Sequence, residues 1–169
     1  MPPLYTASVP VFRHYLSQVA GMVEKAGAEG MAARIADSFP VAQQFSTAAE
    51  FAMRTVYPLA GLEIPDLPQA LAPRMAVARA HLGAMKAADF EGAEDRIIRH
   101  RAGFADLEQT GADYLHLFGL PNFFFHLTMG YAALRQAGVD LGKADFDGFH
   151  WYHPISGMIV RGGFSRSPA

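Results

Sequence analysis

The groups in this chain best placed to do chemistry are one histidine and its amide and carboxylate neighbours. His126 follows Asn122 by four residues in Pro121-Asn122-Phe123-Phe124-Phe125-His126, which is one helical turn, so both stand on one face among phenylalanines. An earlier helical segment offers Gln43, Gln44 and Glu50 and no histidine. A catalytic divalent metal needs three good protein ligands and an open position. His126 is the one plausible ligand position here, because amide oxygens of the Asn122 and Gln44 kind hold borderline metals poorly. No cofactor is expected, and a divalent metal at His126 is the alternative. The plainest use of the group is a buried polar cluster, since an unpaired buried polar group costs about 1–3 kcal/mol. The same residues suit a small-molecule pocket, in which a few polar groups converge inside an apolar wall. A neutral imidazole there also suits a general base.

Other candidates are weaker. His150-Trp151-Tyr152-His153 lies between Gly148 and Pro154, which disfavour a helix, so it reads as an aromatic anchor for the C-terminal tail. His14, His81, His100 and His116 are isolated, and surface or rim positions are expected for them. Ser156 lacks the glycine pattern of a nucleophile elbow, and Arg161-Gly162-Gly163 has no helix after it to form a phosphate loop. Glu91, Glu94 and Asp95 read as solvated loop acids.

The whole chain narrows the classes further. It has 169 residues, enough for one domain of residues 1–169, and no cysteine, which removes disulfides, thiolate metal sites and thiol nucleophiles. Net charge is −2 without a long basic cluster, so a nucleic-acid partner is not expected. The start, Met1-Pro2-Pro3-Leu4-Tyr5, has no signal-like blocks, and no apolar run approaches the roughly 20 residues that span a bilayer, so a cytoplasmic protein with no membrane partner is expected. With 51% hydrophobic and 18% charged residues there is apolar surface to cover, and a homodimer would cover it.

The elements that must position these groups follow from periodicity. Val9, Phe12, Leu16, Val19, Val23 and Ala26 form one apolar stripe, predicting a helix of about 20 residues with Ser8 as N-cap and Pro10 in its first turn. Val41, Phe45, Ala48, Ala52 and Val56 predict a second helix, opened at Pro40 and ended by Pro58 and Gly61. Leu71, Met75, Ala78, Leu82 and Met85 predict a third, starting near Pro73. Arg96-Ile97-Ile98-Arg99 reads as a short strand, paired with Phe104 to Leu107 in a small hairpin. Thr110-Gly111-Ala112-Asp113 reads as a cap opening a short helix through Leu117. The last helix starts at Pro121, is apolar nearly all round and closes at Gly138, so burial on most sides, in the core or across a subunit contact, is expected. That helix and the first are the expected dimer surfaces. An irregular latch is expected beyond it.

The segment Leu120-Pro121-Asn122-Phe123-Phe124-Phe125-His126, followed by Gly138-Val139-Asp140-Leu141-Gly142-Lys143-x-Asp145-Phe146, closely resembles the signature of one bacterial family, a domain of unknown function grouped with the DinB-like metalloenzymes. Asp37-x-Phe39-Pro40 followed by Gln44, and Thr110-Gly111-x-x-Tyr114-Leu115, look like its other pieces. The resemblance covers about residues 5 to 146, leaving 147–169 as an irregular tail. It implies an all-α fold, a DinB-like up-and-down four-helix bundle with one long crossover, commonly dimeric, to which the hairpin between helices three and four is added. In metal-binding relatives, a histidine of the second helix joins a pair four apart on the last helix around a divalent ion, and some are thiol-dependent transferases or isomerases. Here the residues four from His126 are Asn122 and Gly130. The candidate pocket is therefore His126, Asn122, Gln44, Glu50 and Tyr114, with no catalytic residue and no metal site assigned. The function expected is a homodimeric small-molecule-binding or structural protein with a degenerate metal site. The alternative is a metal- or histidine-dependent transferase or hydrolase, so whether the chain is an enzyme stays open.

Overall fold

A computed structural model of the chain describes residues 1–150. Residues from Trp151 onward, including His153, Ser156, Gly162, Gly163 and most of the expected latch, lie outside the described residues. The first helix, α1 (Pro3–Ala32), is longer than its apolar stripe predicts. Pro2 and Pro3 supply the pre-set φ of a helix start, so the helix begins before Ser8 and runs through Pro10. Ser8 is buried inside it, and its hydroxyl donates to the Leu4 carbonyl at 2.5 Å instead of capping. At Gly27 the backbone turns to φ +60°, a left-handed value that splits α1 into two helical runs.

Helix α2 (Val41–Leu59) follows Pro40 and is buried on several sides, packing against α1, α3 and the last long helix. Helix α3 (Leu71–Ala84) has Pro73 in its first turn, where the missing N–H costs nothing, and buries Met75, Ala78 and Leu82. Two polar links give its direction. Glu50 pairs with Arg74, and seven residues on Tyr57 pairs with His81, so α2 and α3 run the same way. The linker from 60 to 70 must therefore climb back along α2, and it is the expected long crossover.

A 3₁₀ turn (Ala87–Phe90) leads to an antiparallel hairpin of β1 (Ile97–Ala102) and β2 (Ala105–Thr110). Ile98 faces Gln109 and Arg99 faces Glu108 across it. The expected hairpin exists, but Phe104 sits in its turn beside Gly103 (φ +59°), not in the second strand. The Thr110 side chain accepts from the Asp113 N–H at 3.2 Å, as the sequence suggests, and opens the single turn α4 (Gly111–Asp113).

Where a break between Leu117 and Pro121 is predicted, the chain stays helical. A π-helical segment (Tyr114–Gly119) joins α4 to α5 (Leu120–Gln136), with the Leu120 N–H reaching back to the Leu115 carbonyl. Proline lacks an N–H and its ring collides with the carbonyl four residues back. A wider turn just ahead of Pro121 relieves that collision, so a helix passes a residue that would ordinarily stop it. Within the single chain α5 is buried on one side, with Phe123, His126, Leu127, Gly130 and Leu134 facing inward, while Phe125 is 58% exposed.

Against α2 the contacts of α5 run in reverse order, Tyr114 meeting Arg54 and His126 meeting Gln44. Against α1 they run forward, Phe12 meeting Phe123 and Gly30 meeting Leu134. Thus α1 and α5 point one way and α2 and α3 the other. A short α6 (Lys143–Asp147) returns to α1, where Lys25 pairs with Asp145 at 2.7 Å and a His14 ring nitrogen lies 2.7 Å from the Asp147 carbonyl. The product is mainly helical with one two-stranded antiparallel sheet, and its buried apolar side chains form one continuous cluster. Among the described residues no helix is long and apolar enough to cross a membrane.

Candidate functional site

His126 on α5 and Gln44 on α2 meet in the bundle interior, Nδ1 to Oε1 at 2.7 Å. Both are buried, His126 being 9% exposed. The Gln44 amide nitrogen donates to the Phe39 carbonyl at 3.4 Å, which turns its oxygen toward the imidazole. An amide oxygen only accepts, so this orientation puts the ring proton on Nδ1 and the lone pair on Nε2. The ring lies nearly parallel to Phe39 (7°) and to Phe51 (20°), at centroid separations of 6.4 and 5.6 Å, and meets Phe125 edge-on. Burial in this aromatic setting pushes the imidazole pKa below its ordinary 6.5, and the Glu50 carboxylate partly opposes the shift.

The other candidates are placed nearby and used differently. Asn122 donates its amide to the Phe118 carbonyl at 2.8 Å, four residues back at the π-helical segment. Tyr114 is buried and donates its hydroxyl to the Arg54 carbonyl at 2.7 Å, tying the start of the last helix to α2; burial pushes its phenol up to about 12. Glu50 is 47% exposed and lies 3.5 Å from the Arg74 and 3.9 Å from the Arg54 guanidinium. Arg74 is buried, and its Nε donates to the Pro68 carbonyl at 2.7 Å. The Arg54 guanidinium stands 5.1 Å over the Phe51 ring, the same ring that stacks near His126.

Glu50, Arg54 and Arg74 line one cleft of 420 Å³, bounded by α2, the crossover linker and the start of α3, with Met53, Ile64 and Leu67 as its apolar part. Of the five candidate pocket residues only Glu50 lines this cleft; His126, Asn122, Gln44 and Tyr114 do not, and the sequence reading did not include Arg54 and Arg74. Arg54, four residues after Glu50 on the same helix, carried a readable signal; Arg74 depended on the direction of the crossover. Phe39 and Phe51 were missed as ring partners of His126, although Phe39 lies in a quoted motif.

The residues around His126 do not fit a divalent ion of the kind the resemblance implies. Among the described residues no three His, Cys, Asp or Glu side chains gather to hold a metal. At Gly130, four residues after His126, an added Cβ would come within 2.4 Å of the Phe45 ring, so the place for a second ligand is filled by phenylalanine.

Comparison with known proteins agrees with this architecture. No curated protein matches the chain. Among solved structures it is similar to the crystal structure of a DinB family member protein from Shewanella denitrificans, with 26% identity and a TM-score of 0.75 over 89% of this chain and 94% of that one. Residues 4–147 match the family described as a domain of unknown function, DUF1993. That match spans most of the sequence, and the chain belongs to the DUF1993 family.

Proposed function

We propose that this chain is a homodimeric small-molecule-binding protein on a DinB-like four-helix bundle, with a degenerate metal position. The observation that carries the reading is the 420 Å³ cleft with Glu50, Arg54 and Arg74 on its wall. Its volume lies in the range of small-molecule sites, about 300–1,000 Å³. Both signs of charge stand beside Met53, Ile64 and Leu67, a combination suited to a compact zwitterion with an apolar part. Phe51 lies under Arg54 of the cleft wall and also packs near the buried His126. A thermal-shift screen of free amino acids and related zwitterions tests the idea. Stabilisation lost in Arg54→Ala and in Glu50→Gln supports it; no stabilisation by any member of the set rejects it. The dimer is proposed to use the outward side of the π-helical segment and α5, where Leu117 and Phe125 are exposed, and sedimentation as a monomer at micromolar concentration rejects that part.

A histidine-dependent transferase or hydrolase is the second reading. It is favoured by one observation: Gln44 holds the Nδ1 proton, so the Nε2 lone pair of a neutral imidazole is the free basic site. A hydrolytic activity abolished by His126→Gln, with the fold intact, would favour it over simple binding.

A further inference from the structure

A second hollow, between α1 and α3, has a different charge balance. It measures 390 Å³ and is lined by Arg13 and Ser17 of α1 and by Ala76, Arg79 and Ala80 of α3. Arg13 and Ser17 are four residues apart, and Ala76, Arg79 and Ala80 follow the three-four rule, so each set occupies one face of its helix. No acidic residue lines the hollow. Most other described arginines have partners: Arg54 and Arg74 share Glu50, Arg99 meets Glu108, Arg101 meets Asp106, and Arg96 and Arg135 reach backbone carbonyls, while Arg34 has none. Among the described residues Arg13 and Arg79 have neither an ion pair nor a side-chain hydrogen bond.

Two guanidinium groups line one concavity that no carboxylate shares, so an anion there would meet positive charge from both walls. Their planar donor forks match the oxygens of a phosphoryl group. The Ser17 hydroxyl spends its hydrogen on the Arg13 carbonyl at 2.9 Å, which leaves its oxygen as an acceptor for a ligand hydroxyl. Alanines at 76 and 80 leave the α3 wall low, and the volume exceeds what a bare phosphate needs.

We infer that the hollow between α1 and α3 binds a phosphoryl group through Arg13 and Arg79, with room for a small organic portion over Ala76 and Ala80. The site is separate from the Glu50 cleft, because the two share no lining residue.

Titration of the ¹⁵N-labelled full chain with inorganic phosphate and with glycerol 3-phosphate, at constant ionic strength and with chloride as control, tests this. Saturable shifts of amides in 13–17 and 76–80 are expected, with Kd on the order of 1 mM for an open site of this kind. Arg13→Gln and Arg79→Gln should each weaken binding about fivefold or more, and the pair should abolish saturation. Ala76→Leu keeps every charge but fills the hollow, and it should remove binding of the ester. Tighter binding of glycerol 3-phosphate than of phosphate assigns the organic portion to the hollow, while equal affinity assigns the site to the free anion; both outcomes support phosphoryl recognition there. Absence of saturation by either probe up to about 20 mM, or binding that survives the double substitution, overturns it. Both arginines are exposed, so the variants should fold, and an unchanged circular dichroism spectrum verifies it.

Discussion

The ring of Phe45 lies so close to Gly130 that a Cβ added there would sit 2.4 Å from it. Helices α2 and α5 approach closely here, and again at Gly119, where an added Cβ would come within 2.6 Å of Thr55. Gly130→Ala therefore trades helix propensity, worth about 1 kcal/mol, against overpacking that costs about 1–3 kcal/mol. A net destabilisation of up to about 2 kcal/mol is expected from chemical denaturation. Gly21→Ala makes the opposite case: it is mid-helix in α1 with nothing within 4 Å, and about 0.5–1 kcal/mol of stabilisation is expected. Phe45→Leu combined with Gly130→Ala should cost less than the two single losses added, because both act on one contact.

The buried imidazole makes the protein sensitive to mild acid. His126 has its pKa lowered in the native state, so between that value and the ordinary 6.5 the unfolded chain binds more protons than the folded one. Its contribution is fully present above about pH 6.5 and is lost as pH falls through that window. Gln44→Ala leaves the Nδ1 proton without its acceptor and should destabilise the fold by about 1–2 kcal/mol. Glu50→Gln removes the one influence that raises the imidazole pKa, so the His126 resonance should titrate at still lower pH by NMR. An unchanged midpoint in Glu50→Gln would mean that the carboxylate does not act on the ring.

Much of this arrangement was legible in the chain and part was not, for physical reasons. Val41, Phe45, Ala48, Ala52 and Val56 mark α2 because a buried helix face repeats every three to four residues. Thr110 and Asp113 mark the cap because the side-chain bond is local. Pro121 misled, because proline is a helix stop unless the preceding turn widens, and nothing in the residue types announces a π-helical turn. Ser8 misled because a hydroxyl four residues after a carbonyl serves a helix interior as well as a cap. The meeting of His126 with Gln44 was open to inference as two polar groups in apolar walls. The packing of Phe45 against Gly130 was not, since it depends on how closely two helices distant in sequence approach.

Alkaline titration should single out Tyr114. Its hydroxyl is buried and donates to the Arg54 carbonyl, and its pKa stands at about 12. Above pH 10 the unfolded chain gives up this proton while the folded chain keeps it, so stability falls as pH rises from 10 toward 12. Burial raises Tyr15 and Tyr57 in the same direction. Tyr114→Phe should remove the latest-ionising phenol from the ultraviolet titration. It should also cost about 1–2 kcal/mol, because the Arg54 carbonyl loses its donor in a buried place. If the latest phenol persists in Tyr114→Phe, it belongs to another tyrosine.

The crossover linker depends on Arg74 for its seat beside the Glu50 cleft. One guanidinium donates to the Pro68 carbonyl at 2.7 Å and lies 3.5 Å from Glu50, so a single side chain ties the linker, α3 and α2 together. Arg74→Met keeps most of the buried stem but releases both partners. Glu50 is half exposed and regains water, which limits the loss to about 1–3 kcal/mol, below the cost of stranding a fully buried charge. Arg74→Lys retains the charge but has no Nε–H fork, so it can serve Glu50 or Pro68 and not both. Limited proteolysis should therefore cut within 60–70 faster in both variants than in the parent, and Arg74→Lys should recover stability more fully than it recovers protease resistance. Equal resistance in the parent and Arg74→Met would mean that the prolines and local turns of the linker hold it in place without the arginine.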